Sequence, residues 1–197
     1  MHTPTIFTRY LGQLAGIVEK VKPHPEILKA RLHAEMLPFA SQVRATCNFA
    51  LRGCCPLAGL PPVGFEGAEL SLATLAKQID DTIAYIAAIP AQRFDGAAER
   101  LCHDRAGFAD IALPGDEYLN LYILPNFYFH FSMAYAIARS HGADIGKQDF
   151  DGYHLYAPGF SFERPASQAS TPLPPGAPPN RRAADPNRSG SGLRNQD

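Results

Sequence analysis

The sequence sets polar chemistry into an otherwise apolar helical run at LPNFYFH, from Leu124 to His130. Asn126 and His130 are four residues apart and therefore neighbours on one helix face. Advancing 100° per residue places them on a stripe with Leu119, Ile123, Met133 and Ile137, which predicts two polar side chains turned toward a packed interior. Pro125, just before them, lacks an N–H and frees the carbonyl of Leu121. A buried imidazole can titrate near neutrality, bind a metal or pass a proton. With Tyr122 one turn earlier and Met133 one turn later, Asn126 and His130 make up the candidate ligand pocket. The simpler reading is that the two polar groups bond each other, the freed carbonyl or a buried water, and merely fix helix register.

No other cluster matches this one. A metal held by His130 would need a ligand at i+3 or i+4, where Met133 and Ala134 stand, so His130 is the single metal-ligand candidate of its helix. His141 lies on the same stripe but about 16 Å along the axis, too far to share an ion. His33, Glu35, Cys102 and His103 would have to be brought together by the fold, and a surface or loop position suits the histidines and Cys102 as well. Cys54 and Cys55 point about 100° apart on a helix and cannot bridge without strain, so the four cysteines are expected to be reduced core thiols. GxGxxG, Walker, HExxH and GxSxG patterns are absent, and Asp80 and Asp81 suit a solvated helix face.

The elements that position these residues follow from helical periodicity. Thr3 and Pro4 open a first helix whose apolar positions run from Phe7 to Val21, stopped by Pro23 and Pro25. Residues 25 to 34 allow a short helix. A second long stripe then runs from Met36 to Cys54, with Pro38 in its first turn. PLAGLPPVGFEG is a loop, after which Ser71 caps a third helix burying Leu72, Leu75, Ile79, Ile83 and Ile86. From Pro90 to Pro114 the period is lost, and ERLCHDRAGFADIAL is expected to hold a short hairpin. The fourth helix runs from about Asp116 to His141, ended by Gly142. Tyr128 and Tyr135, opposite the polar stripe, are candidates for meeting a homodimer partner.

The predicted architecture is all-α, an antiparallel four-helix bundle over residues 1–155 with a hairpin between its third and fourth helices. Residues 156–197, rich in Pro, Gly, Ser and Arg, cannot bury enough surface to offset ordering and are expected to be a disordered tail. A formal net charge of −1 and 46% apolar residues argue against nucleic-acid binding, and the tail arginines are too sparse for a nucleic-acid arm. No apolar run reaches the roughly 18 residues of a membrane helix, and MHTPTIFTRY has no basic region leading into an apolar stretch. A cytoplasmic address without membrane contact is the expectation.

LPNFYFH together with AYAI (Ala134 to Ile137), GKQDF (Gly146 to Phe150) and ARLHAEMLPFASQV (Ala30 to Val43) resembles an uncharacterised bacterial family. It is domain-of-unknown-function family nineteen-ninety-three, of the DinB-like (YfiT-like) superfamily, and the likeness covers roughly residues 5 to 152. The resemblance implies a bundle that is often dimeric. It also implies better-known relatives that hold a divalent metal with one histidine from the second helix and an HxxxH pair from the fourth, for thiol transfer or hydrolysis. His130 matches one member of that pair. Ala134 takes the place of the next, and the second helix offers Val43 and Cys47 where an inward histidine is wanted. The expected function is therefore binding of a small molecule or partner at Asn126 and His130 without a cofactor. The alternatives are a metal-dependent enzyme, with His33 or Glu35 completing the ligands, and a homodimeric interaction module.

Overall fold

Helix α1 (Thr3–Lys20) forms because Phe7, Leu11, Leu14, Ile17 and Val18 recur at steps of three and four, and all five are buried. At its C-terminal end, where a cation complements the helix dipole, Lys20 pairs with Asp149 at 2.8 Å. A single 3₁₀ turn, Pro25–Lys29, follows. Helix α2 (Phe39–Leu57) begins three residues after Met36, where the sequence pattern starts, because Pro38 stands at the N-cap in extended conformation and not within the first turn. Helix α3 (Leu72–Ala88) starts at a reciprocal cap: Ser71 Oγ accepts from the Thr74 amide at 3.1 Å, and Thr74 Oγ1 accepts from the Ser71 amide at 3.0 Å. Ser71→Ala is expected to cost about 1 kcal/mol, read as a lower urea midpoint at unchanged slope.

The computed structural model describes residues 3–157. The chain divides into one unit of Met1–Leu155 and a second of Tyr156–Asp197, and of the second only Tyr156 and Ala157 are described, so the expected disordered tail lies outside the described residues.

Strands β1 (Leu101–Ala106) and β2 (Ala109–Pro114) form the expected antiparallel hairpin, with Leu101 opposite Pro114 and Ala106 opposite Ala109. Its two-residue turn needs Gly107, whose φ of 61° lies where side chains rarely go. The last long helical run is not uniform. A short α4 (Gly115–Glu117) leads into a π-helical turn, Tyr118–Ile123, and then α5 (Leu124–Ser140), while α6 (Lys147–Asp151) closes the bundle. The Leu124 amide bonds to the carbonyl of Leu119, five residues back. This wider turn sits where Pro125 can donate nothing and where its ring would crowd the carbonyl of Leu121.

Helix α2 packs along α5, and α1 along α3. Phe7 meets Phe127 edge-on at 5.0 Å, and Phe131 stacks on Phe150 at 4.3 Å. Tyr128 and Tyr135, expected to meet a partner, are half-buried within the chain, where Tyr10 packs edge-on against Tyr128 at 5.1 Å and Phe150 against Tyr135 at 5.8 Å. All four cysteines are free and buried, and burial pushes the Cys47 thiol up to about 12, which leaves it inert.

Candidate functional site

The buried line of α5 is Phe127, Phe131, Ala134, Ile137 and Ala138, and Asn126, His130 and Met133 flank it half-buried. The inward stripe drawn from the sequence is thus displaced by about one residue. The physical reason is that α5 is apolar almost all round, so hydrophobicity alone cannot choose which line faces in, and the π turn breaks the assumption of 100° per residue.

Asn126 and His130 do not bond each other. Asn126 Nδ2 donates to the carbonyl of Tyr122, one turn back, at 2.7 Å. His130 Nδ1 lies 2.8 Å from Oε1 of Gln42, a residue of α2 that is only 2% exposed. Gln42 spends its amide nitrogen on the Leu37 carbonyl at 3.2 Å, so Oε1 is the acceptor and His130 Nδ1 carries the proton. The lone pair is therefore on Nε2. Phe49 stacks against the imidazole at 5.4 Å and 19°, and Phe129 meets it edge-on at 5.2 Å.

Burial lowers the His130 pKa from its ordinary 6.5, so the ring is neutral at pH 7. A base whose folded pKa is depressed contributes its full stability above the unfolded value of about 6.5 and loses it as pH falls toward the folded value. A proton NMR titration of the His130 ring is expected to show a midpoint below 6.5.

Along α2 from Gln42 the same face reaches Arg52, the hub of a network that the sequence did not reveal. Arg52 Nε donates to Asp104 Oδ2 at 2.9 Å, and Nη2 lies 2.8 Å from Asp104 Oδ1, 2.9 Å from the Arg105 carbonyl and 2.6 Å from the Tyr122 hydroxyl. The hydroxyl of Tyr118, fully buried, lies 2.8 Å from Asp104 Oδ2 and 2.9 Å from the Arg52 carbonyl. Burial opposes the charge on Asp104, but bonds from Arg52, Tyr118 and the Arg105 amide outweigh it and hold the carboxyl below the usual carboxylate range. Burial and the Asp104 carboxylate raise the Tyr118 pKa, keeping it protonated. The Arg52 guanidinium also sits 4.5 Å from the Phe49 ring centroid, so Phe49 touches both His130 and Arg52.

Arg52 and Asn48, one turn apart, line a cavity of about 460 Å³ with Val63, Gly64 and Glu66. Asn48 donates to Glu66 across it at 2.6 Å. Of the four pocket candidates, Tyr122 belongs to the Arg52 network, Asn126 serves a helix carbonyl, His130 presents a lone pair, and Met133 lies at the margin of the buried line. Gln42, Phe49, Arg52 and Asp104 were missed. The signal available for them was Gln42, Phe49 and Arg52 at steps of seven and three along α2, a pattern that apolar content alone hides.

The described residues do not fit a metal centre. Among them no three His, Cys, Asp or Glu side chains come close enough to share an ion. His130 is surrounded by an amide and two phenyl rings, and His33 and Glu35 are exposed neighbours whose only mutual contact is the Glu35 amide on His33 Nδ1 at 3.3 Å. Among the described residues no helix is long and apolar enough to cross a membrane.

Residues 2–151 match the model of a family described as "Domain of unknown function (DUF1993)". The fold is similar to a DinB family member protein from Shewanella denitrificans. That match has 27% identity and a TM-score of 0.67 over 78% of this chain and 92% of the other. No curated protein matches the sequence. With the family model matched over three quarters of its length and the fold shared with a DinB family member, this chain belongs to the DUF1993 family and is DinB-like.

Proposed function

We propose that this protein binds a small neutral or cationic molecule carrying N–H or O–H donors on the face that α2 and α5 share. The observation that carries the reading is His130, whose Nδ1 proton is committed to buried Gln42, so that a neutral half-exposed ring offers the Nε2 lone pair as an acceptor. The charges on this face favour the same class of ligand. Arg52 is neutralised by Asp104, and Glu66 leaves a net negative charge at the cavity, which repels anions.

The test is ¹⁵N NMR of the imidazole in the full chain, titrated with small primary amides, amines and carboxylates. Amides or amines are expected to shift His130 Nε2 while leaving Nδ1 protonated, and His130→Leu should abolish the binding seen at α2 amides. If none of these probes moves His130, or carboxylates alone do, the reading is wrong.

A further inference from the structure

Both ends of the Gln42 carboxamide are committed, in opposite directions. Nε2 donates to the Leu37 carbonyl at 3.2 Å, and Oε1 lies 2.8 Å from His130 Nδ1. With the residue 2% exposed, bulk water cannot relieve either atom if its pairing is lost. The Leu37 carbonyl is itself held by the largely exposed segment from Ala30 to Pro38. The Phe39 amide bonds to the Ala30 carbonyl at 2.9 Å and closes this segment at its neck, while Arg31 Nη1 donates to the Met36 carbonyl at 2.8 Å. The Gln42 amide bonds to the Pro38 carbonyl at 3.0 Å, so the backbone and side chain of Gln42 grip consecutive residues of the segment. Turning the carboxamide over would set Oε1 against the Leu37 carbonyl, two acceptors with no proton between them.

We infer that Gln42 is the specificity-determining residue of the His130 site: by holding the ring proton on Nδ1 it makes the site take ligands that donate a hydrogen bond and reject those that can only accept one. This rests on the ligand reading given above and names the residue that enforces it. A neutral imidazole has one proton for two nitrogens, and the partner of one nitrogen decides what the other offers. Phe49 and Phe129 cover the ring by stacking and by edge, and neither side chain carries a nitrogen or oxygen to compete for that proton. Among the described residues, Gln42 Oε1 is the one polar atom bonded to the ring. While it is in place, an acceptor-only molecule at Nε2 meets lone pair against lone pair. Without it, nothing keeps the proton from Nε2, and the preference inverts. Gln42 acts through His130 and is thus a positioning residue.

The experiment is ¹⁵N NMR of the histidine rings in the full chain, wild type and Gln42→Met. The His130 signals are identified by their loss in His130→Leu, and circular dichroism establishes that each variant is folded. Methionine is unbranched and fills the space of glutamine without a strong acceptor. The probes are pyrrole, a neutral N–H donor, and N,N-dimethylacetamide, an acceptor without a donor. In the wild type the proton is expected on Nδ1, with Nε2 shifted by pyrrole and not by dimethylacetamide. In Gln42→Met the proton is expected to move largely to Nε2, pyrrole binding to weaken about three- to tenfold, the size of one lost hydrogen bond, and dimethylacetamide to shift Nε2. A Gln42→Met ring that keeps its proton on Nδ1 and its preference for pyrrole would overturn the role of Gln42 and leave the ligand reading standing. Wild-type Nε2 shifted as strongly by dimethylacetamide as by pyrrole would overturn that role without any variant. Wild-type His130 silent toward both probes would overturn the ligand reading, and the specificity with it.

Discussion

Replacing Asp104 by Ala is expected to lower stability by about 3 kcal/mol, because the substitution strands the Arg52 guanidinium between Phe49 and the hairpin with its bidentate partner gone. The side chains are only 27% and 15% exposed, so water cannot fully replace the lost bonds. For a domain of this size the loss corresponds to about 6 to 12 °C in melting temperature. Stranding and attraction are separated by the double variant Arg52→Met with Asp104→Leu, which removes both charges together. It is expected to recover most of the loss, since a buried pair replaced by apolar groups of similar volume is close to neutral.

The pH dependence follows from the same residue. Asp104 has its pKa lowered below the ordinary 3.8, so its contribution is present above about 3.8 and is lost as pH falls through the folded value. Urea midpoints measured from pH 5 down to about pH 2.5 are expected to fall less steeply for Asp104→Ala than for the wild type. Equal slopes would show that the ion pair does not hold the hairpin on the bundle.

The second large effect is expected from a single methyl group. Gly115 opens the last helical run where it crosses the chain before β1, and an added Cβ would overlap the carbonyl oxygen of Ala97 and come within 2.8 Å of Leu57 Cδ2. The Asp116 amide is tied to the Ala98 carbonyl at 3.0 Å, so the two backbone segments cannot separate without breaking that bond. Gly115→Ala is therefore expected to cost about 3 kcal/mol or more, at the upper end for overpacking, read as a lower urea midpoint. A loss below about 1 kcal/mol would mean that the backbones part easily there.

The four long helical segments, the Ser71 cap, the hairpin between the third and fourth of them and the core thiols could all be read from the chain, because each depends on neighbours in sequence: apolar spacing, a capping hydroxyl, short alternation between Pro90 and Pro114. His130 and Tyr122 could also be picked out as unusual. Their chemistry could not. Whether His130 carries its proton on Nδ1 depends on Gln42, 88 residues away, and the function of Arg52 depends on Asp104, 52 residues away on a strand.

Local spacing thus determined which segments are helical and where they stop, since hydrogen bonds and caps within a helix span four residues or fewer. Tertiary structure decided which line of α5 is buried, what each polar side chain bonds and which apolar residues stay outside. The reason is that α5 is apolar on nearly every side, so its orientation is fixed by the shapes of Phe7, Tyr10 and Phe150 packed against it and by the one turn in which Pro125 interrupts regular hydrogen bonding.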